Sequence, residues 1–203
     1  GAITGLFHTA MGIPPILSGI LTQLILWSVN LKILGKANVS ISSRKYPVLL
    51  SSIDNVSAII VSVIFCALTI VGLYLFFYTE VGFSLKSTGD NEAMSRAQGV
   101  NVNLNKVIGL AISNGIIAIS GALLAQYQGF ADINMGRGAI VIGLAAIIIG
   151  LSVSLKIKPN FVVSLIGVVG GGIVYDLVYT FVIFLGLDTD LLKGLSAVVV
   201  AIF

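Results

Sequence analysis

The sequence predicts an all-α fold, a polytopic transmembrane helical bundle, from three observations. Hydrophobic residues make up 57% of the 203 positions and charged residues only 9%, against about 25% charged in soluble domains. Mean hydropathy is +1.10. The apolar residues gather into long runs, the clearest being the 23 residues from Val56 to Tyr78, which carry no charge. So few charges could not keep a soluble surface hydrated, which leaves lipid as the solvent. At about 20 residues per crossing, the length accommodates about six to seven membrane segments with short loops. The chain opens at Gly1 without a methionine, already apolar, and closes at Phe203 inside another apolar run. The expectation is a single transmembrane domain over residues 1–203, truncated at both ends.

Taken in order, Gly1–Ala10 reads as the tail of a helix begun upstream. Ile13–Leu34 is the first full span, with Pro14 and Pro15 at its start, where missing N–H groups cost nothing. Gly35–Asn55 holds Lys36, Arg44, Lys45 and Asp54 and reads as a long loop outside the hydrocarbon. Val56–Tyr78, at about 1.5 Å per residue, crosses a core of about 30 Å with little tilt. Thr79–Lys106 is the main polar interruption, and Val107–Tyr127 is the next span. Gln128–Gly138, with Asp132 and Arg137, is a loop. Ala139–Leu155 has only 17 residues and is a short span or a re-entrant helix. Lys156–Asn160 is a tight loop, Phe161–Leu185 a long span interrupted by Asp176, and Gly186–Lys193 a short acidic turn. From Gly194 a last, cut span begins. Small residues four apart (Ala111/Gly115, Ala118/Ala122, Gly121/Ala125, Gly167/Gly171) mark faces where helix backbones can approach closely.

Several function classes fall away. The net charge is +3, but the eleven Lys and Arg are scattered singly, with no basic stripe for a nucleic acid. Cys66 is the single cysteine, a small hydrophobe in an apolar run, with no partner for an intrachain disulfide. His8, the single histidine, sits beside a polar turn as an interfacial cap. The acidic residues form no metal-like cluster, and no span carries HExxH or paired carboxylates. A membrane enzyme is therefore poorly served, and no cofactor is expected in this chain.

The segment most informative about function is Thr79–Asn101, TEVGFSLKSTGDNEAMSRAQGVN. Asp90 or Asn91 suits an N-cap, and Glu92 then lies in the first turn, where the helix dipole favours a negative charge. Ala93, Met94 and Ala97 give a short helix an apolar side, and Gly99 can end it in the left-handed conformation. The expected product is a helix of about two turns outside the bilayer, either an ordinary interfacial helix or a docking knob for a soluble partner.

GFSLKSTGDNEAMSRAQGVN resembles the cytoplasmic segment of ABC-transporter permeases of the branched-chain amino acid and ribose class. Gly82, Leu85, Lys86, Gly89, Asp90, Asn91, Gly99, Val100 and Asn101 match the pattern of that family. The usual alanine pair after the acidic residue is here Ala93–Met94. The stretches at 7–23, 28–40 and 113–150 look like the subgroup of amino-acid permeases that includes tryptophan-type uptake systems. In that subgroup the span near Tyr175 is more often followed by a basic residue, and Asp176 departs from this. The resemblance implies a multi-pass protein of the bacterial plasma (inner) membrane, with transport and not catalysis as its task. It implies cytoplasmic ATPase subunits docked on Gly89, Asp90, Asn91, Glu92, Ala93, Met94 and Gly99. It also implies a second permease subunit, in a homodimer, and an extracytoplasmic solute-binding protein. Scattered charge does not orient the chain, with five basic residues on one side and six on the other. The resemblance does: it makes 79–106 the cytoplasmic coupling segment and puts 35–55, 128–138 and 186–193 outside.

Polar residues inside spans are few: Gln23, Asn30, Asn114, Gln126 and Asp176. Such groups serve interhelical hydrogen bonds more often than substrate contacts. Asn114, Gln126, Asp176 and Tyr179 are the pathway candidates. Asp176 stands near the middle of its span, where a carboxylate costs about 2.5–3.5 kcal/mol on insertion scales, so it should face protein or water. Gly172, Asp176, Tyr179 and Thr180 share one helix face. That face either locks the bundle or meets a passing cationic group. The competing reading of the whole chain is a self-contained channel or secondary transporter, which would also use mid-membrane ionisable residues and broken helices.

Overall fold

Glycine and proline punctuate the first helices of the chain. The computed structural model describes residues 1–41, 55–136, 139–157 and 161–184. They divide into two compact units, one ending at Ile133 and the other beginning at Asn134. In the first, α1 (Ala2–Thr9) turns into α2 (Pro15–Leu34), with Gly12 at φ 67° in the turn and Pro15 in the first helical turn. His8 Nδ1 lies 2.8 Å from the Ile13 carbonyl oxygen across this turn, which supports the capping role read from the sequence. The Thr4 hydroxyl donates to Thr22 Oγ1 at 3.0 Å, tying α1 to α2 where both side chains are buried. Gly1 and Gly5, four apart, let α1 lie against the backbone of a later span, α6 (Val102–Gln128). A Cβ at Gly1 would stand 2.6 Å from Ala111 Cα, and one at Gly5 would stand 2.8 Å from Val107 Cα.

α3 (Asn55–Phe77) is the clean apolar span. With α2 and α6 it is long and apolar enough to cross a membrane. α6 begins five residues earlier than the sequence suggests. Asn101 caps it by accepting the Leu104 N–H at 3.1 Å, and its first turns absorb polar residues because they pack on another helix. α2 and α6 both end on glycines in the left-handed conformation, Gly35 (φ 66°) and Gly129 (φ 73°). Beyond these glycines, Asn38–Ser40 (β1) pairs antiparallel with Phe130–Asp132 (β2), Val39 opposite Ala131. The two segments read as plain loops thus meet in a small sheet, extended by the Ile41 N–H to the Gly129 carbonyl at 2.7 Å. This brings the C-terminal ends of α2 and α6 together, as the alternation of spans requires.

The second unit is the pair α7 (Ala139–Ile157) and α8 (Phe161–Phe184). α7 is one unbroken helix of 19 residues, about 28 Å long, close to the hydrocarbon thickness of about 30 Å. α8 is the fourth span candidate. The Gly167/Gly171 pair does what its spacing predicts. A Cβ at Gly171 would collide with the Ala146 carbonyl oxygen and lie 2.6 Å from Gly150 N. Ala145 and Tyr175 are buried in the same seam. By contrast, Gly115 and Gly121 have open space where a Cβ would go, and Ala118 and Ala122 are exposed.

Among the described residues, the buried hydrophobic residues are only Ala58, Val102, Ala145 and Tyr175. Large apolar side chains such as Ile16, Ile59, Leu68, Ile117 and Leu177 face outward. That inversion is what lipid permits, because apolar surface needs no burial there. Residues 42–54, 137–138, 158–160 and 185–203, with Arg137, the acidic turn and the last span, lie outside the described residues.

Candidate functional site

Thr79–Lys106 is not an irregular stretch around one short helix. It folds into two helices and the start of a third. Thr79 caps α4 (Glu80–Asp90) by accepting the Gly82 N–H at 3.2 Å, and Glu80 sits in the first turn. Gly82 allows the sharp reversal from α3, since a Cβ there would strike the Phe76 carbonyl and lie 2.5 Å from Phe77 Cα. The sequence reading missed α4 because its residues look polar. The available signal was Ser84, Ser87 and Thr88, small hydroxyl residues at three and four apart on one face.

Asn91 ends α4 and starts α5 (Glu92–Ala97). It is extended (φ −153°), its N–H reaches the Ser87 carbonyl at 3.0 Å, and its side chain accepts the Met94 N–H at 3.0 Å. Of the two N-cap candidates, Asn91 holds the position. Asp90 and Gly89 belong to the last turn of α4, not to α5. Gly99 (φ 82°) closes α5 as expected. The Val100 N–H returns to the Ser95 carbonyl and the Gly99 N–H to Arg96, a Schellman ending.

The faces of α5 are arranged opposite to those of a soluble helix. Ser95 is completely buried, while Ala93, Met94 and Ala97 are exposed, Met94 by 58%. The polar face is turned inward because α4 and α6 offer it partners. Ser87 and Ser95 share a hydrogen bond of 2.8 Å. The buried Asn105 amide donates to Ser84 Oγ at 2.7 Å and to Thr88 Oγ1 at 2.9 Å. Glu92 bonds Lys106 Nζ at 2.8 Å and Arg96 at 2.7 Å. The Lys106 ammonium first, and the Arg96 guanidinium second, hold the Glu92 carboxyl down to about 2. Among the described residues no group of His, Cys, Asp and Glu is placed to hold a metal ion.

The pathway candidates fall in both units, Asn114 and Gln126 in the first and Asp176 and Tyr179 in the second. Asn114 turns its amide to the Leu110 carbonyl of its own helix at 2.8 Å. Gln126 is 12 residues further along α6, about 18 Å away. Asp176 is in the other unit, exposed on α8 and off the Gly167–Gly171–Tyr175 stripe that meets α7. The Thr180 hydroxyl donates to the Asp176 backbone carbonyl at 2.8 Å. The Tyr179 side chain lies outside the described residues.

Residues 1–203 match the model of the family described as "Branched-chain amino acid transport system / permease component". The chain belongs to this permease family. It is a multi-pass membrane protein, a transport permease with membrane-spanning helices. Over 203 residues the permease is 38% identical to a tyrosine transport system permease protein of Clostridioides difficile (strain R20291), covering 100% of this chain and 67% of that relative. It is also 33% identical over 142 residues to an uncharacterized protein of Rickettsia prowazekii (strain Madrid E), covering 70% of this chain and 50% of the relative. No solved structure matches it.

Proposed function

We propose that this permease forms the membrane pathway of an ATP-driven importer for amino acids and is driven through α5. The observation that carries the reading is the outward apolar face of α5 at Ala93, Met94 and Ala97, in the segment that resembles the ATPase-contacting part of ABC permeases. A short helix that buries its serine and exposes its methionine is built to be covered by something else. Two cytoplasmic ATPase subunits dock there, one on each copy of a permease homodimer, and ATP hydrolysis belongs to them. An extracytoplasmic binding protein delivers the solute, and the permease itself needs no cofactor. The permease is a two-state element whose inward- and outward-facing forms are biased by these partners. Tyrosine is the first substrate to test, because the Clostridioides difficile relative is named for it.

The test uses the full-length permease, with Cys66→Ser, reconstituted with an ATPase subunit and a solute-binding protein from the same organism. Ala93→Cys is expected to crosslink to the ATPase, and labelled tyrosine, within a panel of amino acids, to accumulate only with ATP. An intact complex that crosslinks at no position from 89 to 99 would refute the docking assignment. Uptake by the permease alone, without ATP, would favour a secondary transporter working through Asp176.

A further inference from the structure

We propose that Asn105 is a positioning residue that makes the α4–α5 knob and span α6 move as one rigid body. The proposal rests on the docking reading for its functional consequence, though not for its geometry.

Three helices meet at this corner, and each pair is joined by side chains. Asn105 joins α6 to α4, the Ser87–Ser95 pair joins α4 to α5, and Glu92–Lys106 joins α5 to α6. A triangle with three tied edges resists both sliding and tilting, whereas two edges leave a hinge. The edges are not equal. The Glu92–Lys106 bridge is open to water, with Glu92 42% and Lys106 28% exposed, and exposed bridges are weak and screened by salt. Ser87–Ser95 is a single hydrogen bond.

Asn105 is 6% exposed and uses both amide hydrogens, on two hydroxyls one helical turn apart. The Thr88 hydroxyl already donates to the Ser84 carbonyl at 2.8 Å, so its lone pairs are turned outward to accept from Asn105. An acceptor pair at i and i+4 fixes the register of α4 along α6 as well as its distance. A shift of one residue would strand the buried Asn105 amide and cost the buried Thr88 and half-buried Ser84 hydroxyls their donor. Apolar packing in this region could not do the same, since lipid-like surfaces slide on one another without penalty in hydrogen bonds. A force applied at Met94 therefore passes into α6, 27 residues long, and through the Gly1 and Gly5 contacts into α1.

The experiment places nitroxide labels at Ala97 on α5 and Ile117 on α6, both exposed, in the full-length Cys66→Ser permease in nanodiscs. Pulsed electron resonance then reads the distribution of distances between them. The wild-type pair is expected to give one narrow distribution, and Asn105→Ala one at least twice as wide. The pair Ser84→Ala with Thr88→Val removes the same edge from the other side and replaces Asn105→Ala if that variant does not insert. In the reconstituted complex these variants are expected to move at least fivefold less tyrosine per ATP hydrolysed. An unchanged distance distribution overturns the rigid body. A widened distribution with unchanged uptake per ATP overturns its role in coupling. If the wild-type complex hydrolyses ATP and moves no tyrosine, the substrate reading fails, while the distance widths still decide whether Asn105 locks the corner.

Discussion

The α4–α5–α6 corner and the α7–α8 hairpin solve the same problem, holding helices together where the hydrophobic effect gives little help, by opposite means. The hairpin removes side chains. Gly150, Gly167 and Gly171 bring two backbones to van der Waals contact, with Ala145 and Tyr175 buried beside them. The corner adds side chains, and its contacts are hydroxyl, amide and ion-pair bonds. Close backbone packing gains dispersion and is indifferent to pH and salt. Hydrogen-bonded packing fixes register, but some of its groups must stay within reach of water. A transport protein has use for both, a fixed seam and a joint whose geometry is set by named groups.

The largest effect is expected at the seam. Gly171→Leu drives a side chain into the Ala146 carbonyl and the Gly150 backbone. It should cost about 3 kcal/mol, the upper end for overpacking, read as loss of resistance to denaturant in bicelles. Gly170→Leu is the control, because a Cβ there meets nothing within 4 Å, and it should leave stability unchanged or raised. Equal losses at 170 and 171 would break the account of the hairpin.

A smaller effect is expected at the ends of α5. Asn91→Ala removes the acceptor for the Met94 N–H, a cap worth about 1 kcal/mol. Gly99→Ala forces a side chain into the left-handed region at φ 82°, at about 1–2 kcal/mol. Faster amide exchange confined to 91–100 is the expected readout. Exchange spreading equally into α7 and α8 would mean that the corner is not a local unit.

The smallest effect concerns Glu92. Its folded value of about 2 lies below the ordinary 4.5, so its bridge contributes fully above pH 4.5 and is lost as pH falls toward 2. A nitroxide at Ala97 should therefore stay ordered at pH 5, loosen as pH falls through about 2, and be looser at high salt. Glu92→Gln should flatten that pH response. The α7–α8 seam should show neither dependence, and a matching acid response there would erase the contrast.

Much of this was legible residue by residue. The Val56–Tyr78 run became α3 within a residue at either end, and Pro15 and Gly35 bounded α2 as their backbone preferences require. Glu92 in a first turn and Gly99 as a left-handed stop were readable because capping is local chemistry. What escaped was what depends on a neighbour. α4 looked like loop because its hydroxyl face has value only against Asn105. α6 appeared to start at Val107 because Asn105 and Lys106 look unfit for a span until their partners are known. The β1–β2 pairing joins segments some ninety positions apart, and no local pattern announces it. Of the residues expected to couple to an ATPase, Asn91, Glu92, Ala93, Met94 and Gly99 belong to α5 and its two ends, whereas Gly89 and Asp90 close the preceding helix.

By itself the sequence determined the solvent, the membrane-spanning helices and the helix ends, because hydropathy, proline, glycine and caps act within a few residues of themselves. It also determined that Gly167 and Gly171 would admit a second backbone. It could not say which backbone, and the tertiary structure supplied Ala146 and Gly150. The facing of α5 was likewise a tertiary decision. Alone, the helix would bury Ala93, Met94 and Ala97 and hydrate Ser95. The hydroxyl of Ser87 on α4, and Lys106 on α6, reverse that choice by satisfying the polar face within the protein, and so leave the apolar face outward.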